Sequence, residues 1–224
     1  MTGWLSFFQD VFEYWPQILG GLGNTLLLFA IVTVTGLIGG ILVFYQALSP
    51  NRHVRRITEG YISFFIGTPL IVLLFLMYYG LPQTGIHLSP LAVAVIGFTM
   101  NVAAYNARYL MSAYNGIDAS ELEAARAQGF STLQVFRLVT LPQTLRLAMP
   151  GLTNQVILNL KDSSIVFLIQ YTEFFAQMQE LAARNFQYFK VYLLTGLVYL
   201  LLVSLVVLAA RWLERRVLPA ACRT

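Results

Sequence analysis

The stretch Leu26-Leu-Leu-Phe-Ala-Ile-Val-Thr-Val-Thr-Gly-Leu-Ile-Gly-Gly-Ile-Leu-Val-Phe-Tyr-Gln-Ala47 carries no charged side chain. A helix needs roughly 20 predominantly apolar residues to cross a bilayer, so this segment reads as a membrane span. Tyr61–Tyr79 and Val191–Leu213 read the same way. Leu91–Ser112 is apolar apart from Asn101, Asn106 and Arg108, and Leu152–Tyr171 is interrupted by Asn154, Asn159, Lys161 and Asp162. Polar groups are expensive in lipid, so in these two spans they are expected to face protein or a water-filled path.

The whole composition agrees. Of 224 residues, 58% are hydrophobic and only 11% charged. Soluble domains carry about 45–50% apolar and about 25% charged residues. A water-soluble enzyme is excluded, and the length leaves no room for a second sizeable soluble domain. The expected fold class is an all-α membrane protein of about five transmembrane helices. The single cysteine, Cys222, cannot form an intrachain disulfide. There is no Gly-Lys dipeptide, hence no Walker-A phosphate loop, and no His-Glu-x-x-His metal motif; His53 and His87 are the only histidines.

The net charge of +4 is placed by topology. Arg52, Arg55, Arg56, Arg126, Arg137, Arg146, Arg211, Arg215, Arg216 and Arg223 all fall on one alternating set of segments, ten of the fourteen Lys and Arg. That is the positive-inside pattern, and it predicts an amino terminus outside and a cytoplasmic carboxyl terminus. It also removes nucleic acid as a partner, since no basic soluble face is left. Within residues 1–20, Trp4, Phe7, Phe8, Val11, Phe12, Trp15 and Ile18 recur at helical spacing with Gln9, Asp10 and Glu13 between them. The pattern suits an amphipathic helix in the membrane interface, or one buried against protein. Residues 21–218 are expected to form one transmembrane domain. Gly36 and Gly40 make a small-xxx-small pair for close helix approach. Gly67, Thr68 and Pro69 interrupt the second span, giving either a simple kink or a broken helix beside a substrate path.

The cytoplasmic segment of about 118–142 contains Ser120 with Glu123, and Ser131 with Gln134, both at capping-box spacing. Gly129 suits a left-handed helix end and Pro142 a helix stop, which together predict two short helices around a tight corner. Asn101, Tyr105, Arg108 and Ser112 form one stripe of the third span. Arg108 is suited to meet a substrate carboxylate, to pair with Asp162, or to snorkel. Adjacent Lys161 and Asp162 point in different directions, and Asn154 and Asn159 are candidate polar wall residues.

Glu123-Ala124-Ala125, Gly129, Val139 and Leu141-Pro142 at this spacing resemble the EAA loop of ABC importer permeases. Gly21 with Thr25-Leu26, Gly67-Thr68-Pro69-Leu70, Ala104-Tyr105 and Lys161-Asp162-Ser163-Ser164 resemble the polar amino-acid branch (His/Glu/Gln/Arg/opine). The resemblance implies a type I importer architecture in a bacterial inner membrane. It also implies that Glu123, Ala124, Ala125, Arg126, Gly129, Phe130, Leu141 and Pro142 couple to a separate ATPase. The substrate path would hold Gly67, Thr68, Pro69, Asn101, Tyr105, Arg108, Asn154, Asn159, Lys161, Asp162, Ser163 and Ser164. The implied partners are ATPase subunits carrying ATP and Mg, a second permease (identical or related) and a periplasmic or lipid-anchored binding protein, with a polar amino acid as solute. This chain itself would be non-catalytic and hold no cofactor. An ion-coupled secondary transporter with Asp162 as coupling site is the alternative class, a membrane scaffold a third. Departures from the family lie at Ile66, Arg108 and Met111, where many members carry a basic residue, a carboxylate and an arginine.

Overall fold

The computed structural model describes residues 3–217, with side chains to residue 212; Cys222 and Arg223, and the side chains of Arg215 and Arg216, lie outside this range. The described residues form helices and no strand: α1 (Trp4–Glu13), α2 (Trp15–Ala47), α3 (Arg52–Gly67), α4 (Leu70–Phe75), α5 (Pro90–Tyr114), α6 (Ala119–Ala127), α7 (Thr132–Val135), α8 (Leu141–Asp162), α9 (Phe174–Asn185) and α10 (Tyr188–Val217). Trp15–Ala47, Pro90–Tyr114 and Tyr188–Trp212 are each long and apolar enough to cross a membrane, and α3 with the α4 region qualifies as a broken pair. The fifth expected span, about 152–171, is built from the second half of α8 and a 3-10 segment, Ser163–Ile169. Its polar residues keep α8 below the apolarity of the other three.

Two places depart from the sequence expectation. The expected continuous span 61–79 is broken at Thr68, whose backbone is extended (φ −101°, ψ 128°). Proline disfavours the helical conformation in the residue before it, and Thr68 precedes Pro69. Pro142, by contrast, stops nothing. α7 runs through a π turn, Phe136–Thr140, directly into α8. There the Leu141 amide reaches back to the Phe136 carbonyl, and the wider turn makes room for the proline ring that follows. The same device recurs at Leu76–Gly80, where the Leu81 amide bonds to the Leu76 carbonyl just before Pro82.

The chain divides into two compact units. One comprises Met1–Thr33, Leu70–Phe98 and Ile157–Val207; the other comprises Val34–Pro69, Thr99–Val156 and Leu208–Thr224. In the first, Phe7 and Val11 of α1 and Ile18 of α2 pack on Phe174, Met178, Leu181 and Ala182 of α9 and Val191 of α10. The other side of α1 leaves Leu5, Phe8 and Phe12 exposed, as is Trp15 at the start of α2. One face of α1 is therefore core, and the opposite face keeps large apolar side chains exposed. Asp10 anchors the helix by accepting from Asn185 Nδ2 (3.1 Å) and Gln187 Nε2 (3.4 Å).

In the second unit α2 and α5 meet through the small residues. A Cβ at Gly36 would lie 2.5 Å from Val102 Cγ1, and one at Gly40 the same distance from Asn106 Cβ. Asn106, one of the polar residues of the third span, is buried and donates to the Gly36 carbonyl at 3.1 Å, cementing this approach. Phe44, Ile62, Ala107, Leu110, Phe136, Ala148 and Leu152 form the core beside it.

Candidate functional site

The hairpin of α6 and α7 is built from local rules. Asp118, not Ser120, caps α6: its carboxylate accepts from the Ser120 amide at 2.9 Å, a bond that holds the carboxyl below its usual range. Ser120 is displaced from the cap because the helix begins at Ala119, two residues ahead of the expected capping box. Glu121 in the first turn and Arg126 in the last complement the helix dipole. At the other end the Gly129 amide bonds to the Arg126 carbonyl (2.9 Å) and the Phe130 amide to the Ala125 carbonyl (3.3 Å). This is a Schellman closure, and Gly129 takes the left-handed conformation it demands (φ +84°). Ser131 and Gln134 then form the expected capping box on α7.

Packing decides which hairpin residues can meet a partner. Leu122 and Ala125 of α6 are buried against Val135 of α7. Ala125 is thus spent on the hairpin's own core, while Glu123, Ala124, Arg126, Gly129 and Phe130 are exposed. Gln143 Nε2 donates to Glu121 Oε2, tying α6 to the start of α8, where Leu141 is half-buried and Pro142 exposed. A cavity of about 230 Å³ lies behind the hairpin, lined by Arg126, Thr132, Phe136 and Thr140 and by Tyr45, Ser49 and Val54 across from them.

The residues read as a substrate path are distributed over both units. In the second unit, Gly67, Thr68 and Pro69 are exposed or half-buried at the helix break, and Asn101 donates from Nδ2 to the Phe65 carbonyl at 2.9 Å. In an unbroken helix that carbonyl would accept from the residue four positions on, which is Pro69 and has no N–H. Asn101 supplies the donor that proline removed. Tyr105 is half-buried, and Arg108, Ser112 and Asn154 are exposed. In the first unit, Asn159 and Ser163 are buried, Asp162 and Ser164 half-buried and Lys161 exposed. The hydroxyls of Ser163 and Ser164 donate to the carbonyls of Leu160 (2.7 Å) and Lys161 (2.9 Å), where the helix tightens. Among the described residues, ion pairs join Arg55 to Glu59 and Arg184 to Glu180.

Sequence reading missed Glu173, a fully buried carboxylate that accepts from the amides of Phe175 and Ala176, both at 2.8 Å, and so caps α9. The signal was weak: the residues that mark a helix start are Ser, Thr, Asp and Asn, and glutamate is not among them. The Gly21-x3-Thr25 pair belongs to the same place. A Cβ at Gly21 would lie 2.8 Å from Gln177 Cγ, and Thr25 Oγ1 accepts from the Phe174 amide at 3.0 Å.

Residues 33–219 match the family of binding-protein-dependent transport system inner membrane components. The chain belongs to that family. It is 35% identical over 219 residues to a probable amino-acid ABC transporter permease protein, PatM, of Vibrio harveyi, covering 96% of this chain and 98% of that protein. It is 33% identical over 204 residues to a second such protein, YckA of Bacillus subtilis (strain 168), covering 91% and 90%. A solved amino acid ABC transporter superposes with a TM-score of 0.85 at 27% identity, covering 96% of this chain and 99% of the other. The MetNI methionine ABC transporter, at 21% identity and a TM-score of 0.77, shares the fold. The chain is thus an all-helical, multi-pass membrane permease component with the type I importer fold.

Proposed function

We propose that this chain forms the translocation path of an ATP-dependent, binding-protein-dependent amino acid importer in a bacterial inner membrane. The observation that carries the reading is the α6–α7 hairpin, rigidly closed at both ends and presenting Glu123, Ala124, Arg126 and Phe130 outward. A separate ATPase docks on this hairpin, and closure of the ATPase pair around ATP and Mg moves it. The permease, paired with a second copy or a relative, then opens to a docked binding protein on the outer side. Hydrolysis resets the path. The partner works by binding two permease states with different affinity, which is all that alternating access requires.

Arg108, Lys161 and Asp162 are the charged groups of the path. A fixed guanidinium suits a substrate carboxylate, and a carboxylate suits the ammonium. Relatives named as amino-acid permeases support that solute class. Reconstitution in vesicles with an ATPase and a binding protein tests the proposal: uptake of a polar amino acid should require ATP. Uptake that persists without ATP and follows an ion gradient would replace it with a secondary transporter, and no flux at all with a scaffold.

A further inference from the structure

Among the described residues Glu173 is the sole buried carboxylate, and the family function leaves it without a task. Three helices converge on it. Its two oxygens hold the first amides of α9, α2 places the Thr25 hydroxyl 3.1 Å from Oε2, and α10 places the Tyr199 hydroxyl 3.3 Å from the same oxygen. No cation accompanies it. The titratable groups that face it are Tyr199 from α10 and Tyr171 from the connection before α9; α2 and α9 present none to it. Any response near neutral pH is therefore its own.

The hydrogen bonds are arranged to serve both protonation states. Thr25 has one hydroxyl proton and two acceptors, Glu173 Oε2 at 3.1 Å and the Gly21 carbonyl at 3.2 Å. With Glu173 ionised, the Thr25 and Tyr199 hydroxyls both donate to it. With Glu173 neutral, the acid proton donates to Thr25 Oγ1, and the Thr25 proton turns to Gly21. Tyr199 can donate to Oε2 of the neutral acid as well as of the carboxylate, so it keeps a partner either way. Each state closes without an orphaned donor, which a purely structural cap would not need.

We infer that Glu173 is a proton-operated clasp, whose gain or loss of one proton reverses the Thr25 bond and weakens or strengthens the Tyr199 bond that hold the start of α9 to α2 and α10. Burial supports this, pushing the carboxyl from 4.5 to about 7 against the pull of its four donors.

Infrared difference spectroscopy of the intact transporter in lipid tests the clasp, over about two pH units either side of neutrality. A protonated-carboxyl band should disappear with a midpoint near 7 in the wild type and be missing from Glu173→Gln. Tyr199→Phe removes one donor to the ionised form, so its midpoint should move up. That variant decides the matter alone if Glu173→Gln fails to assemble. A band that survives in Glu173→Gln, or a midpoint unmoved in Tyr199→Phe, overturns the inference. Its transport consequence rests on the proposed function: wild-type uptake should follow the same midpoint and Glu173→Gln should be flat. PH-independent wild-type uptake refutes that consequence. Loss of all ATP-driven uptake with the band intact faults the proposed function and leaves the clasp standing.

Discussion

Replacing Gly129 by valine isolates the contribution of one backbone conformation to coupling. A Cβ built at Gly129 meets nothing within 4 Å, so the substitution brings no clash with neighbouring atoms. Its whole cost is the left-handed backbone at φ +84°, about 1–2 kcal/mol for an ordinary L-residue and more for a β-branched one. That shifts the local equilibrium between closed and opened hairpin by about 5- to 30-fold. The α6 core of Leu122, Ala125 and Val135 is untouched, so insertion and assembly should be normal. Simultaneous measurement of ATP hydrolysis and amino acid uptake in the reconstituted transporter should show fewer solutes moved per ATP. Asparagine tolerates the left-handed region, so Gly129→Asn should recover most of the coupling. Wild-type coupling in Gly129→Val would refute the role of the corner. Asparagine as damaging as valine would refute the backbone argument.

The Asn101 bond to the Phe65 carbonyl predicts a specific double-mutant result. Asn101→Leu should cost about 1–3 kcal/mol by orphaning that carbonyl, and Pro69→Ala, which restores the missing amide, should shrink the penalty in thermal unfolding. Phe7→Ala should cost about 3–5 kcal/mol, because Phe7 is buried in the α1–α9 core. Phe12, on the exposed face, should change retention by membranes and leave the melting temperature within its error. Glu173 makes stability pH-dependent. Its folded pKa is raised from 4.5 to about 7, so its contribution is complete below 4.5 and is lost as pH rises through 7. A melting temperature that falls over this window in the wild type and is level in Glu173→Gln is the expected reading. Arg108→Ala should lower uptake while leaving assembly intact; unchanged uptake kinetics would return Arg108 to a structural role.

Much of this molecule was legible before any coordinate. Apolar runs located α5 and α10 to within a few residues and the carboxyl end of α2 at Ala47, because a long apolar segment has few alternatives in water or lipid; the start of α2, at Trp15 rather than Leu26, was not marked by them. Gly129 and the Ser131–Gln134 box were legible for a related reason: each is a local rule satisfied within a few residues. What the sequence hid depends on distant partners. Pro142 looks like a stop until the π turn beneath it is seen. Asn101 looks like a pore residue until the Phe65 carbonyl, thirty-six positions away, claims it. Glu173 looks like an ordinary loop acid because Thr25 and Tyr199 reach it from far along the chain. Ala125 was read as a docking surface, yet the fold of the hairpin turns it inward.

The two π turns carry a consequence of phase. Each holds one residue more than an α-helix would use over the same length, and each is followed at once by a Leu-Pro pair. The wide turn takes up its surplus residue locally, so side chains beyond it leave the helix on the sides they would occupy with one residue fewer and ordinary spacing. Deleting a single residue among 136–140 should therefore close the turn to an α-helix and leave Asn154 facing as before. A deletion farther along α8, where there is no surplus to draw on, would rotate everything beyond it by about 100°. The surplus residue acts as slack, and the helix should accept the loss of one position where that slack lies far more readily than elsewhere along it.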